Sequence, residues 1–400
     1  MTRYDTLPAP SAPSFLEARN RRQKARAAGM HPDYWYPVEW SRNLKRGKAM
    51  GTRFWGRPIA VFRDENDKVH AVEDRCAHRQ VKLSLGQVDG CNLRCMYHGW
   101  AFSGDGKLAA IPHDLFGKPF PQQIKIGSYP VQERYGLIWI FPGDPEMADK
   151  HKLPEIPELE GKNAWSCIPV DFTWRAHHSM VIDNVSDFTH EYLHRRSRPF
   201  ANAKLTKLES VEDKVYVSYD TQVGTGRISG LFVPRDRINT DHMDLCYEYP
   251  FQWSNTDDKI KHHCFVLPLD EKNTRSFFIF YFRTLRLPVL PLTIPTKVMD
   301  LIMPIAKRVL VKPLLREDGD AVVAEQEGYD QFYESPIAEF NPAVSQFQQL
   351  TIRKWEEYLA QARGRAGTGA AGDGGERSDR SERHDRGERG IHSAQLRVQP

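Results

Sequence analysis

The sequence predicts an α+β protein in two parts: an all-β domain, then a domain of helices packed on an antiparallel sheet. Three observations carry this expectation. Residues 33–150 read as short β-type runs punctuated by turns. From about residue 165, longer runs alternate aromatic and β-branched side chains, as antiparallel strands with one buried face do. Two late stretches, GDAVVAEQEGYDQFY and AVSQFQQLTIRKWEEYLAQAR, read as helices. The second carries Val344, Phe347, Leu350, Ile352, Trp355 and Leu359 near helical spacing. A length of 400 residues accommodates two or three domains with real cores.

In chain order, residues 1–32 form a Pro- and Arg-rich lead-in with one short helix over Phe15 to Ala28, and order begins at DYWYPVEW. RPIAVFRDENDKVHAVE predicts a hairpin turning near Asp67, and GLIWIFPGDPE closes the first domain with a buried strand. In the second part, residues 151–363, WSCIPVDFTW predicts a strand. RAHHSMVIDNVSDFTHEYLH, twenty residues without Pro or Gly, predicts a helix. KVYVSYDTQV, MDLCYEYPFQW, HHCFVLPL and RSFFIFYFRTL supply further strands. Residues 364–400 lack side chains able to form a core and alternate charge signs, which predicts a disordered tail. Gly367, Gly369 and Gly372 there match the dinucleotide fingerprint formally. No strand precedes them, so a nicotinamide site is not expected.

Fifty-six Lys and Arg against 52 Asp and Glu leave a net charge of +4, which argues against a nucleic-acid surface. The N-terminus has no apolar stretch of signal-peptide length, so the expected location is cytoplasmic. Val298 to Leu315 is the most apolar region, but Asp300, Pro304, Lys307, Arg308, Lys312 and Pro313 interrupt it. A spanning helix is excluded there, and a packed helix pair is expected over a segment peripheral to a membrane. Six cysteines, Cys76, Cys91, Cys95, Cys167, Cys246 and Cys264, are expected as metal ligands or packing thiols, not disulfides.

The strongest chemical signal is CAHRQVKLSLGQVDGCNLRCMYHGW. Cys76 and His78 form a Cys-x-His pair, Cys95 and His98 a Cys-x-x-His pair, with sixteen residues between His78 and Cys95. A structural zinc site would accept two thiolates and two imidazoles. The order Cys-His then Cys-His favours a Rieske [2Fe-2S] cluster, with cysteines on one iron and histidines on the other. Cys91 is then a bystander.

Downstream, HEYLH at residues 190–194 matches the zinc-protease pattern H-E-x-x-H. On a helix, however, Asn184, Asp187, His190 and His194 fall within about 120° of one another while Glu191 points away. Two histidines and a carboxylate on one face leave positions open for dioxygen, as in non-heme Fe(II) oxygenases.

Through these motifs, and through WYPV and YPVQERYGLIWIFPGD, residues 33 to 361 resemble the Rieske non-heme iron oxygenases, the α subunits of aromatic-ring-hydroxylating systems. The resemblance implies an all-β Rieske domain followed by a helix-grip catalytic domain holding a mononuclear Fe(II). The third iron ligand it implies is Asp318, since Gln326 follows eight residues later, with Asp320 as the fallback. Either aspartate could instead cap a helix. Asp187 is implied to bridge His190 and, in a neighbouring subunit of a homotrimer, His98. Three residues between the histidines, where many members have four, resembles the carbazole-dioxygenase-like members.

The expected activity is that of a mono- or dioxygenase using O2 and electrons from a separate ferredoxin or NAD(P)H-dependent reductase. Its substrate is expected to be an organic, largely apolar molecule, which it would hydroxylate, dealkylate or oxidatively cyclise. Two alternatives stay open: a non-catalytic Rieske electron carrier and, more remotely, an HExxH zinc hydrolase.

Overall fold

The computed structural model describes residues 11–112, 123–162, 164–194, 199–223, 239–283 and 296–369. Its first part contains, among the described residues, β1 (Tyr36–Trp40), β2 (Lys48–Phe54), β3 (Arg57–Arg63), β4 (Val69–Glu73), β5 (Gln87–Asp89), β6 (Asn92–Arg94), β7 (Ala101–Ser103), β8 (Leu108–Ala110), β9 (Ser128–Tyr129), β10 (Val131–Arg134) and β11 (Leu137–Ile140). They form three antiparallel sheets, ordered β1-β11-β10, β2-β3-β4-β9 and β5-β6-β7-β8. The hairpin expected at Asp67 joins β3 to β4: Asp67 takes a positive φ of 68°, and the Asp64 carboxylate accepts from the backbone N–H of Asn66 and of Lys68, each at 2.9 Å.

The second part is built on one seven-stranded antiparallel sheet of β12 (Ser166–Trp174), β13 (Ala201–Val211), β14 (Lys214–Val223), β15 (Asn239–Glu248), β16 (Phe251–Thr256), β17 (Ile260–Asp270) and β18 (Asn273–Phe282). Its order is β12-β18-β17-β16-β15-β14-β13, a meander whose first strand returns to pair with the last. Five of these strands match the expected runs, except that MDLCYEYPFQW, expected as one strand, divides into β15 and β16. β13 was not anticipated, because as an edge strand it is mostly solvated and carries Lys204, Lys207 and Glu209 where a central strand would carry apolar residues.

One face of this sheet packs on the first part. Trp139 meets Phe265 edge-on at 4.9 Å, Trp40 meets Phe277 at 5.6 Å, and Arg275 binds Glu39 and Asp171 at 2.9 and 2.8 Å. A single buried core therefore runs through both parts. Helices cover the other face: α2 (His178–Ser186), α3 (Thr296–Ala306), α4 (Lys312–Phe332) and α5 (Pro342–Gly369). Trp174 lies against Gly319 of α4, and the Tyr247 hydroxyl is 3.1 Å from that of Thr351 on α5.

Four expectations change. The N-terminal helix, α1 (Arg21–Ala27), is shorter than expected and is no loose lead-in: buried Arg26 pairs with Asp183 of α2 and Glu325 of α4, each at 2.8 Å. The helix expected through residue 194 ends at Ser186. There the Asp187 carboxylate accepts from the backbone N–H of Thr189 at 2.9 Å, a local turn that competes with the next helical hydrogen bond. HEYLH is thus a series of turns, and the helical stripe does not account for its histidines. Near Pro304, which offers no N–H, α3 passes through a π-helical turn, Lys307–Val311, directly into α4. Asp318 and Asp320 therefore lie inside a helix and cap nothing. At the other end, the tail boundary moves, since α5 continues to Gly369; the rest of the segment expected to be disordered lies outside the described residues.

Candidate metal centres

Two loops at one end of the first part bring Cys76, His78, Cys95 and His98 together. After Cys76 the chain turns back so that its N–H donates to the Val81 carbonyl at 2.9 Å; after Cys95 it does the same onto Trp100 at 2.8 Å. The second turn needs Gly99 at φ 69°. Both cysteines are buried within a small core that includes Phe62, Leu83, Leu93 and Phe102, whereas the histidines sit further out, His78 exposed and His98 half-buried, with ring centroids 4.5 Å apart. Trp100 stacks on His78 at 4.7 Å and fixes its plane. Burial pushes the Cys76 thiol up, while the backbone N–H groups of His78 and Arg79 donate to its sulfur and oppose that shift. Buried sulfurs with amide donors and outward imidazoles suit a [2Fe-2S] cluster ligated asymmetrically. Cys91 stands apart, accepting a hydrogen bond from Asn66.

The second centre joins α4 to the turns after α2. His190, His194 and Asp318 present ligand atoms all within 4.8 Å of one another. Nε2 of each histidine is 3.6 Å from Asp318 Oδ1, and Phe200 meets both rings edge-on. Burial pushes the Asp318 carboxyl up to about 6, against the pull of His194 and a hydrogen bond from Asn184. Burial, then His194, pushes His190 down to about 4, with Asp187 opposing. A buried carboxyl with an imidazole nitrogen of each histidine 3.6 Å away is a two-histidine, one-carboxylate donor set, and its type suits Fe(II). Asp320 is exposed and outside this group.

Each imidazole is oriented through its other nitrogen. For His194, Nδ1 lies 3.1 Å from Glu317, a residue whose role the sequence did not suggest, although its adjacency to Asp318 was visible. For His190 the partner is the backbone carbonyl of Asp187. The Asp187 carboxylate was expected to contact His190; instead it accepts from the Thr189 N–H and hydroxyl. His177 and His178 are buried beside α1, remote in role from the ligands, and His178 is 2.7 Å from the Ala28 carbonyl.

Among known families, a Rieske [2Fe-2S] domain model matches residues 34–120, and the vanillate O-demethylase oxygenase C-terminal domain matches residues 174–362. A 4beta-methylsterol monooxygenase from Methylococcus capsulatus is 43% identical over 348 residues, 87% of this chain and 94% of the relative. The chain belongs to the Rieske non-heme iron oxygenases. This Rieske oxygenase carries a [2Fe-2S] cluster and a mononuclear iron, and as an oxygenase component it works with an electron-donating partner on a small organic substrate. The TsaM1 iron-sulfur subunit of a toluene-4-sulfonate monooxygenase system from Comamonas testosteroni is 31% identical over 156 residues, 39% of this chain and 44% of the relative. The fold is that of dicamba monooxygenase (TM-score 0.68, 21% identity, 83% of this chain and 99% of that one) and of Pseudomonas putida NdmA (TM-score 0.59, 22% identity, 91% and 100%). The electron-carrier and zinc-hydrolase alternatives fall away.

Proposed function

We propose that this Rieske oxygenase hydroxylates the 4-methyl group of a sterol-like alcohol. The observation that carries the reading is the 43% identity to the methylsterol monooxygenase, which spans both metal centres. Overall, R–CH3 with O2, two electrons and two protons gives R–CH2OH and water. NAD(P)H supplies the electrons through a reductase or ferredoxin. In this reading residues 33–150 accept electrons, with Cys76, His78, Cys95 and His98 holding the cluster. Residues 151–363 perform the oxidation, with His190, His194 and Asp318 holding the iron and Asn184 orienting Asp318. The bound iron supplies O2 activation, a chemistry no side chain offers. The chain orients the ligands, excludes water and seats the substrate. The enzyme is placed in the cytoplasm, as a homotrimer in which Asp187 of one subunit meets His98 of the next.

The chain's own interior supports an apolar alcohol as substrate. On the helix-covered face of the sheet, Val170, Val217, Leu245 and Phe278 make an apolar floor. A linked polar group shares this face: Ser254 Oγ lies 2.6 Å from His262 Nδ1, and His262 Nε2 lies 3.0 Å from Gln252 Oε1. Gln252 Nε2 is buried without a partner among the described residues. A buried donor left unpaired costs roughly 1–3 kcal/mol, so an oxygen is expected there. A sterol offers one hydroxyl on an otherwise apolar frame.

The test is anaerobic loading with Fe(II), then turnover of a 4-methylsterol with a surrogate reductase. Hydroxymethyl product from the parent enzyme, and none from His190→Ala with its cluster spectrum intact, supports the reading. Turnover of aromatic ethers but of no methylsterol overturns the substrate assignment.

A further inference from the structure

Five of the fifteen large apolar residues that stand exposed among the described residues fall between positions 298 and 310. Four of them form one ridge along α3 and the π-turn: Val298, Leu301, Ile305 and Val309, spaced three or four apart and 44%, 76%, 64% and 56% exposed. The inner face of the same helix is also apolar, with Met299 and Met303 buried. A surface helix of a water-bathed protein carries polar residues outside; a helix apolar on both faces has a second apolar neighbour.

Cations border the ridge. Lys307, Arg308, Lys312 and Arg316 line, with Pro304, an open depression of about 490 Å³. Burial, then the charges of Arg42 and Lys312, holds the Lys307 ammonium below its usual range, as positive charge crowded at one place does. Lys307 also donates to the Pro169 carbonyl. Among the described residues Arg308, Lys312 and Arg316 have no carboxylate partner, and the exposed acids nearby in the chain are Asp300 and, one helical turn beyond Arg316, Asp320.

We propose that this face is a membrane-docking surface: the Val298–Val309 ridge enters the headgroup–acyl boundary of an anionic bilayer while Arg308, Lys312 and Arg316 take lipid phosphates. Charge selects this occupant. A second copy of the chain meeting the same face about a two-fold axis would set one cation cluster against another. An anionic bilayer offers both what the ridge lacks and what the cations lack. No helix among the described residues is long and apolar enough to cross a membrane, so the contact is peripheral. It also has a direction: Ile305 is thirteen residues from Asp318 along one nearly continuous helix, roughly 20 Å, so docking holds the iron a fixed distance from the bilayer surface. The proposal stands on surface chemistry and does not depend on the sterol reading.

The test is co-sedimentation of the holoenzyme with vesicles of phosphatidylcholine, with and without phosphatidylglycerol. Binding is expected on the phosphatidylglycerol vesicles and is expected to fall with salt. Arg308→Glu with Lys312→Glu should weaken it by about thirtyfold or more, the loss of two cations near an anionic surface. Leu301→Glu with Ile305→Glu should abolish it with the cluster spectrum retained. Parent and Leu301→Glu/Ile305→Glu enzyme partitioning alike, or no binding by the parent, overturns the proposal. So does a changed sedimentation coefficient of that variant in vesicle-free buffer, since the ridge would then be a contact between protein chains.

Discussion

Glu317 makes the most specific claim at the scale of single residues. Its carboxylate faces Nδ1 of His194, fixing the ring so that Nε2 points at Asp318. Carboxylates in this position typically contribute 10- to 100-fold in metal affinity. Glu317→Gln should therefore weaken Fe(II) binding by about that factor in an equilibrium titration with the cluster spectrum unmoved; an unaltered affinity would remove Glu317 from the site. Gly319 is a second test. A Cβ there would sit 2.4 Å from the Trp174 ring nitrogen, so Gly319→Ala must displace Trp174 or the turn of α4 that carries Asp318. Overpacking of this kind costs roughly 1–3 kcal/mol. Thermal melts should fall accordingly, and mononuclear iron occupancy should fall with them. The cysteines and histidines that the structure brings together were legible because Cys-x-His, Cys-x-x-His and His-x3-His are local patterns, whereas Asp318 was suggested only by the family resemblance. Glu317 and Gly319 were not, since their roles exist only once β12 and the turns after α2 meet α4.

Among the elements, β17 and α2 show where sequence reasoning succeeds and where it stops. Aromatic and β-branched runs identified β17 and β18 as strands, but the single buried face expected of them is wrong: residues 263–268 are all buried, because the first part covers one face of the sheet and helices the other. The run after α2 misled, because the absence of Pro and Gly permits a helix without requiring one, and the Asp187 carboxylate closes a turn instead. Buried histidines give β17 and its neighbours a pH dependence. Burial pushes His31, His178 and His262 down to about 4 and His263 to about 3. These folded values lie below the unfolded value of about 6.5, so the unfolded chain takes up protons first. Stability is then complete above about pH 6.5 and falls as pH drops toward 4, by about 1.4 kcal/mol per pH unit for each histidine. Urea midpoints across that window should show the loss, and His262→Gln should give a shallower slope than the parent. Equal slopes would mean that His262 is not held neutral by burial.

For the whole molecule, iron and acid-labile sulfide should come to about three and two per chain after anaerobic purification, one iron beyond a [2Fe-2S] cluster. Asp187→Asn keeps an oxygen to accept from Thr189 and so preserves the turn. Both centres should then stay filled while single-turnover reoxidation of the cluster by O2 and substrate slows at least about tenfold, a rate Asp187 would not affect if it only closed the turn. Arg26→Met leaves Asp183 and Glu325 without their cation and should destabilise the chain by about 3–5 kcal/mol in chemical denaturation, with both metal sites lost together at the transition. The two-part order was readable, yet their union was not, because Trp139, Trp40 and Arg275 reveal their partners only when the sheet is assembled. That seam has a kinetic consequence. An enzyme whose halves share one aromatic and ionic core has no hinge with which to carry reducing equivalents by swinging one half toward the other. The two centres of one chain keep a constant separation through the cycle, and in a trimer whose subunits do not shift against one another solvent viscosity should leave the internal electron-transfer rate unchanged.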